Sequence, residues 1–444
     1  MMCARTFIVS EYRPLASVSP NCRRRLGALH TTSYPSRPTE GPTSQSEMSE
    51  VLDIDAEFEG GSAGDIRTSQ EGLVEIDPKP EQVPDWFFEA LGVHFGGAGV
   101  PREYACHVRV ASDADEPRDV RVRFNFTKTN GASYMAPPYW ILRHGRWWPI
   151  PSIDTSFVDR SHVDLDLHLA PGELVHVANK PFAHGDDVFD EMQALAAHGP
   201  FDIRDLGRTA GDRPIVALES TGYRYDDTIL FGATMQPAEP AARPVLAIAH
   251  WLTDGSALTK RLLERFRFAF IPLPNPDGTA DGRSCTNGVA EVPMFSFGRL
   301  LAGESAPLET RALWDYANEL HPLSYMEFHT HYQDVRHHKL NPMASEWFAG
   351  DDRRELLASV DKALLALNSD WRVTTIARDT PMCDAGKFTN LADRFGTLSY
   401  CYQIYTITEE ATCAHAVSVA RTLATALAGP EWEAEAPEPI VTRG

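Results

Sequence analysis

The chain has 444 residues, is 43% hydrophobic and 23% charged, and carries a formal net charge of -21. Its length leaves room for two or three domains and a large core, while its acidity argues against nucleic acid or an anionic membrane surface as a partner. No apolar run approaches the roughly 18 residues that a membrane-spanning helix needs.

Residues 1–47 are rich in Ser, Arg and Pro, poor in acids, and hold the run Arg23-Arg24-Arg25. They read as an organelle transit peptide, or as a disordered or upstream segment ahead of a start at Met48, where the sequence turns acidic. The expected localisation is cytoplasmic; a transit peptide would make it mitochondrial or another organelle. Seven cysteines, at 3, 22, 106, 285, 383, 401 and 413, make no CxxC pair and are expected as reduced thiols.

From 73 to 184 short alternating segments follow one another: EYACHVRVAS, DVRVRFNFTK, WILRHGRWWPI and HVDLDLHLA, with turn signals TNGAS and APGE between them. In the second, Val120, Val122, Phe124 and Phe126 share one face and Arg121, Arg123 and Asn125 the other. Such period-two alternation predicts an antiparallel β-sandwich with a wet face. Trp147 and Trp148 are expected in core or inter-domain packing. From 185 to 430 helical and strand patterns alternate, which predicts an α/β domain with a mixed sheet flanked by helices. Residues 1–72 are set apart as a disordered or targeting segment and 431–444 as a disordered tail.

The string FAFIPLPNPDGTADG, Phe268 to Gly282, resembles the strand and turn that carry P-x-x-NPDG in M14 zinc carboxypeptidases. Upstream, DLGRTAGDRPIVALEST and ILFGATMQPAEPAA resemble the family's strand entry and its metal-binding turn. Downstream, YMEFHTHYQ and LSYCYQIY resemble its D-x-H-G-H strand end and its last strand. The resemblance is greatest to the cytosolic carboxypeptidase branch, which sets a β-sandwich before the peptidase domain, and it covers about 75 to 428.

The resemblance implies one zinc ion and a metal-activated water that cleaves a C-terminal amino acid or a related amide bond of a peptide or acyl-amino acid. The implied metal positions are Gln236, Glu239 and His329, where the family has His, Glu and His. Zinc favours such nitrogen and oxygen donors, with one position left open for catalysis. The family's catalytic Glu falls on Gln403, which accepts no proton at ordinary pH; Glu409 is the alternative base if the register differs. Glu239 and His329 read either as metal ligands or as a hydrogen-bonded pair left from an ancestral site. His331, His337 or His338 is a candidate to replace the lost imidazole, whereas His250 is expected as a packed or surface histidine. Arg283, Asn287 and Arg299 are the candidate substrate-binding residues, with Cys285 standing where an Arg is expected. Two readings stay open: a divergent metallocarboxypeptidase-like hydrolase, and a catalytically impaired protein of the same fold that binds a peptide tail or small acid.

Overall fold

The computed structural model describes residues 52–69, 73–87, 105–126, 138–159, 161–223, 225, 227–331, 338–367, 372–380, 383–405 and 408–433. The readings made for residues 1–47, Cys3, Cys22, His337 and the last eleven residues lie outside them. Ten strands come first: β1 (Leu52–Asp55), β2 (Ile66–Thr68), β3 (Leu73–Ile76), β4 (His107–Ser112), β5 (Arg118–Asn125), β6 (Trp140–Arg143), β7 (Arg146–Pro149), β8 (Thr155–Phe157), β9 (His162–Leu169) and β10 (Leu174–Ala178). They form two five-stranded sheets, ordered β1-β4-β10-β6-β7 and β2-β3-β5-β9-β8.

The two sheets share one core, with Val108, Val110, Val175 and Val177 from the first meeting Val122, Phe124, Val163 and Leu165 from the second. The alternation in β5 is what builds it. Val120, Val122 and Phe124 are buried, while Arg121 and Arg123 point outward to Asp166 and Asp164 directly across on β9, each at 2.6 Å. Cross-strand pairs of opposite charge fix this register. Two details correct the sequence reading. Strands β1 and β2 precede residue 73, so the folded part starts earlier than expected. And β3 pairs parallel to β5, because the chain crosses to β4 in the other sheet before returning. Trp147 does pack inward, donating through Nε1 to the Phe182 carbonyl at 2.9 Å, but Trp148 is exposed beneath Arg146.

Eight further strands make the third sheet: β11 (Phe201–Arg208), β12 (Pro214–Ser220), β13 (Asp227–Ala233), β14 (Phe266–Ile271), β15 (Ser324–Thr330), β16 (Lys339–Pro342), β17 (Arg372–Val373) and β18 (Leu398–Ile404), in the order β11-β12-β14-β13-β15-β18-β16-β17. The middle four run parallel and the flanking pairs antiparallel, except for β16 with β17. Burial of β13 and β15 along almost their whole length matches parallel strands covered by helices on both faces. Those helices include Gly185–His198, Ala242–Leu252, Leu308–Leu320, Lys387–Phe395 and Glu409–Ala428. All the described residues belong to one compact unit, Glu50–Gly444. No helix among them is long and apolar enough to cross a membrane. The five described cysteines are free thiols.

The turn after β14 is clasped by the first sheets. Gly60 N–H donates to the Ala280 carbonyl at 2.7 Å, and Lys79 Nζ to the Asp281 carbonyl at 2.6 Å. Gly282 sits at φ +62, where a Cβ would stand 2.2 Å from the Gly61 carbonyl oxygen. Only glycine satisfies both the left-handed backbone and that close approach.

Candidate active site

The carboxyl ends of parallel strands are where open α/β sheets place their binding crevices. Here β13 ends in a loop, 234–241, that is pinned on both sides. Asn275, capping the helix Pro276–Ala280, donates through Nδ2 to the Met235 carbonyl at 3.1 Å. Thr234 Oγ1 accepts from Ala241 N–H at 3.1 Å, Ala238 N–H reaches the Ser284 carbonyl, and the Thr330 hydroxyl donates to the Pro240 carbonyl. The loop carries half-buried Gln236 and buried Glu239 to the end of β15.

There Glu239 meets His329, with 2.5 Å between its Oε2 and the imidazole Nδ1. Of the three implied metal positions, Glu239 and His329 are in contact. Alternation along β15 sets Tyr325, Glu327 and His329 on one face. Glu327 is fully buried, with its Oε1 3.7 Å from His329 Nε2 and its Oε2 bonded to the Tyr325 hydroxyl at 3.1 Å. Its counter-charge is Lys387, equally buried at the start of the helix Lys387–Phe395. The two groups lie within ion-pair distance but are not hydrogen-bonded, and His329 Nε2 and Glu327 Oε1 are both buried without a hydrogen-bond partner.

On the neighbouring strand, Gln403 stands in register with His329. Its Oε1 accepts from the Tyr405 hydroxyl at 2.9 Å, and the Tyr405 ring stacks on His331 at 4.8 Å between centroids. His331 continues the ladder, its N–H bonded to the Ile404 carbonyl at 3.0 Å, and its Nε2 is buried without a hydrogen-bond partner. Lys180, in the segment after β10, is buried and donates to the His331 carbonyl.

Charge and burial compete throughout this cluster. Burial would raise the Glu239 carboxyl, but His331, His329 and Lys180 together hold it down to about 2. Burial opposes protonation of His329, yet Cys401, Glu239 and Glu327 keep its imidazole above the usual range. Lys180 is lowered by burial to about 8 despite Glu239. His331 and His338, both buried, are pushed down to about 4 by desolvation, and His107 to about 3 by burial and the neighbouring His176.

These last three histidines make stability depend on acidity. Below the ordinary value of 6.5 the unfolded chain binds protons that the folded chain refuses until about 4. Stability is therefore expected to fall as pH falls through that window, and Glu239 adds a further loss between its ordinary 4.5 and about 2. Urea unfolding midpoints at pH 7, 6, 5 and 4.5 check this; a flat profile would show that water reaches these rings.

The other candidates are engaged elsewhere. Glu409 is the first residue of the helix Glu409–Ala428, and its described partner is Arg243 at 3.5 Å, not a member of the Glu239 cluster. Asn287 donates to Glu309 at 3.0 Å, Arg283 lies 3.7 Å from Asp281, and Arg299 pairs with Glu304 at 3.0 Å under the Trp86 ring. Gly298 abuts the Asp384 carbonyl, so no asparagine side chain fits there. Glu81 accepts from the backbone N–H groups of Ser284, Cys285 and Thr286 and from the Thr286 hydroxyl. An internal carboxylate thus occupies those amides. His250 is on the surface beside Glu191, and His338 stacks on His415 at 3.9 Å.

Three-ligand zinc, as the resemblance implied, does not fit these residues. Among the described residues no group of three or more His, Cys, Asp or Glu side chains is placed to hold a metal ion. Gln236 offers only a neutral amide oxygen, and the buried Lys180 ammonium donates to the carbonyl of His331, two residues beyond His329. Sequence reasoning missed Lys180, Glu327, Lys387, Tyr405 and Glu81. Glu327 had a signal, because a residue two before His329 on a strand shares its face; the others had none.

No family model matches the chain, and no curated protein matches it. Solved structures do. A metallo-carboxypeptidase from Burkholderia cenocepacia aligns over 85% of this chain and 98% of its own, at 14% identity and a TM-score of 0.67. A putative carboxypeptidase A from Shewanella denitrificans covers 84% and 97%, at 16% identity and 0.66. A metallo-carboxypeptidase from Pseudomonas aeruginosa, solved with (2-guanidinoethylmercapto)succinic acid, covers 85% and 98%, at 13% identity and 0.67. At these identities the likeness establishes the metallocarboxypeptidase-like fold.

Proposed function

We propose that this chain receives the end of a peptide, or an acyl-amino acid, in the crevice at the carboxyl ends of β13, β15 and β18, and has lost the water-activating route of metallocarboxypeptidases. The observation that carries the reading is Gln403 beside His329, with its carbonyl oxygen already taken by Tyr405. An amide there accepts no proton, which removes a contribution of roughly 10²–10⁴-fold to hydrolysis. The substrate class is carried over from the metallocarboxypeptidase-like neighbours, and the NPDG turn supports it by holding, through Asn275, the loop that presents Glu239.

A second reading, a hydrolase of the same compounds, is favoured by the Glu239–His329 contact, since both residue types are zinc ligands. One experiment separates the two. The full chain, dialysed against metal-free buffer, is titrated with peptides ending in a free carboxylate, and release of the C-terminal amino acid is followed with and without added zinc. Binding with no release is expected. Release that rises in step with bound zinc and disappears in His329→Ala would establish the hydrolase instead.

A further inference from the structure

Neighbouring strands set His329, Gln403 and Lys339 in one row. His329 on β15 is in register with Gln403 on β18, and Gln403 is in register with Lys339 at the start of β16. Residues directly opposite one another on paired strands put their side chains on the same face of the sheet. Lys339 therefore flanks Gln403 on the side away from His329. The Gln403 amide is also oriented, because its Oε1 accepts from the Tyr405 hydroxyl at 2.9 Å. That contact turns the two N–H bonds of Nε2 away from Tyr405. Both Lys339 and Gln403 are half-buried, and neither the ammonium nor Nε2 has a hydrogen-bond or ion-pair partner among the described residues. The carboxylates of the cluster are engaged, Glu239 with His329 and Glu327 with Lys387. A free ammonium beside a fixed amide donor matches an anion that offers two oxygens.

We propose that Lys339 and Gln403 form the receptor for the terminal carboxylate of the ligand, with one oxygen on the Lys339 ammonium and the other on Gln403 Nε2. This rests on the peptide-end reading of the crevice given above and names the side chains that hold that end. The amide that cannot take a proton is thereby a hydrogen-bond donor to the ligand. Lys339 also supplies the cation that Arg283 and Arg299, each beside an acidic neighbour, do not.

The test titrates the full chain, in metal-free buffer, with N-acetyl-phenylalanine and with its C-terminal amide, and reads affinity by calorimetry. Lys339→Met loses the cation, and Gln403→Glu sets a carboxylate against that of the ligand, so each is expected to bind the free acid at least ~10-fold more weakly than the wild type. Lys339→Arg should stay within ~3-fold of it, because the charge is kept. The amide, already weak in the wild type, should change little in any variant. Wild-type affinity for the free acid in Lys339→Met or in Gln403→Glu would overturn the proposal, and so would an equal loss for the amide. Lys339→Gln takes the place of Lys339→Met should the latter fail to fold. If the wild type binds neither compound, the peptide-end reading falls and acetate judges the pair. The side-chain amide signals of Gln403 in heteronuclear NMR spectra, identified by their loss in Gln403→Met, should then shift saturably with acetate in the wild type and not in Lys339→Met. No such shift would overturn the receptor as well.

Discussion

Replacing Lys387 with Met is expected to cost the fold about 3–5 kcal/mol, the largest effect of any single charge removal near the crevice. Glu327, with no exposed surface, would keep only the Tyr325 hydroxyl as a strong partner. Breaking one side of a buried ion pair strands the other charge away from water, which is far worse than removing both. Lys387→Met/Glu327→Gln should therefore recover most of the loss. Urea unfolding at pH 7 reads both numbers. A cost under about 1 kcal/mol for the single variant would mean that the pair behaves as a solvated surface contact.

The second large effect is expected at Asn275. Its side chain donates to the Met235 and Thr286 carbonyls, at 3.1 and 3.2 Å, and accepts from Gly278 N–H at 3.0 Å. Asn275→Ala leaves two buried carbonyls short of a donor and uncaps a helix, an expected loss of about 3–5 kcal/mol. The same change frees the loop that presents Glu239, so peptide binding should weaken along with stability. Arg299→Ala offers the contrast, since a partly exposed pair is expected to matter by about 0.5 kcal/mol or less. Denaturant midpoints and peptide titration on the two variants check both statements. Equal effects at Asn275 and Arg299 would contradict the role given to the turn.

Much of the fold was readable because it follows from local pattern. Period-two alternation in β5 and β9 placed their apolar faces correctly, and alternating helices and strands announced a mixed sheet. The NPDG string located the turn after β14, and the family resemblance, not any local pattern, pointed to Glu239 and His329, which are in contact. What was not readable depends on long-range contact. Nothing near Lys180 in sequence says that it ends beside His331, 151 residues away. Asn287 looked like a substrate residue because Thr286 and Asn287 align with a Thr-Asn pair that follows the turn in the resembled family, yet it spends its amide on Glu309 of the helix Leu308–Leu320. Glu409 looked like a base because it follows the last strand, but Thr408 caps the helix there and turns the chain away.

The clasp between the first sheets and the NPDG turn also dictates an order of assembly. Glu81 waits for amides that lie 203 to 205 residues further along, so during synthesis its segment leaves the ribosome long before its partners exist. Contacts of such sequence separation form late, because the intervening chain must be ordered first. The two small sheets, held by nearer pairings such as β5 with β9, are positioned to fold early and then serve as the template against which the crevice wall closes. By that argument the Glu239–His329 site is expected to mature last, and a nascent chain that stops short of β18 lacks the strand that carries Gln403.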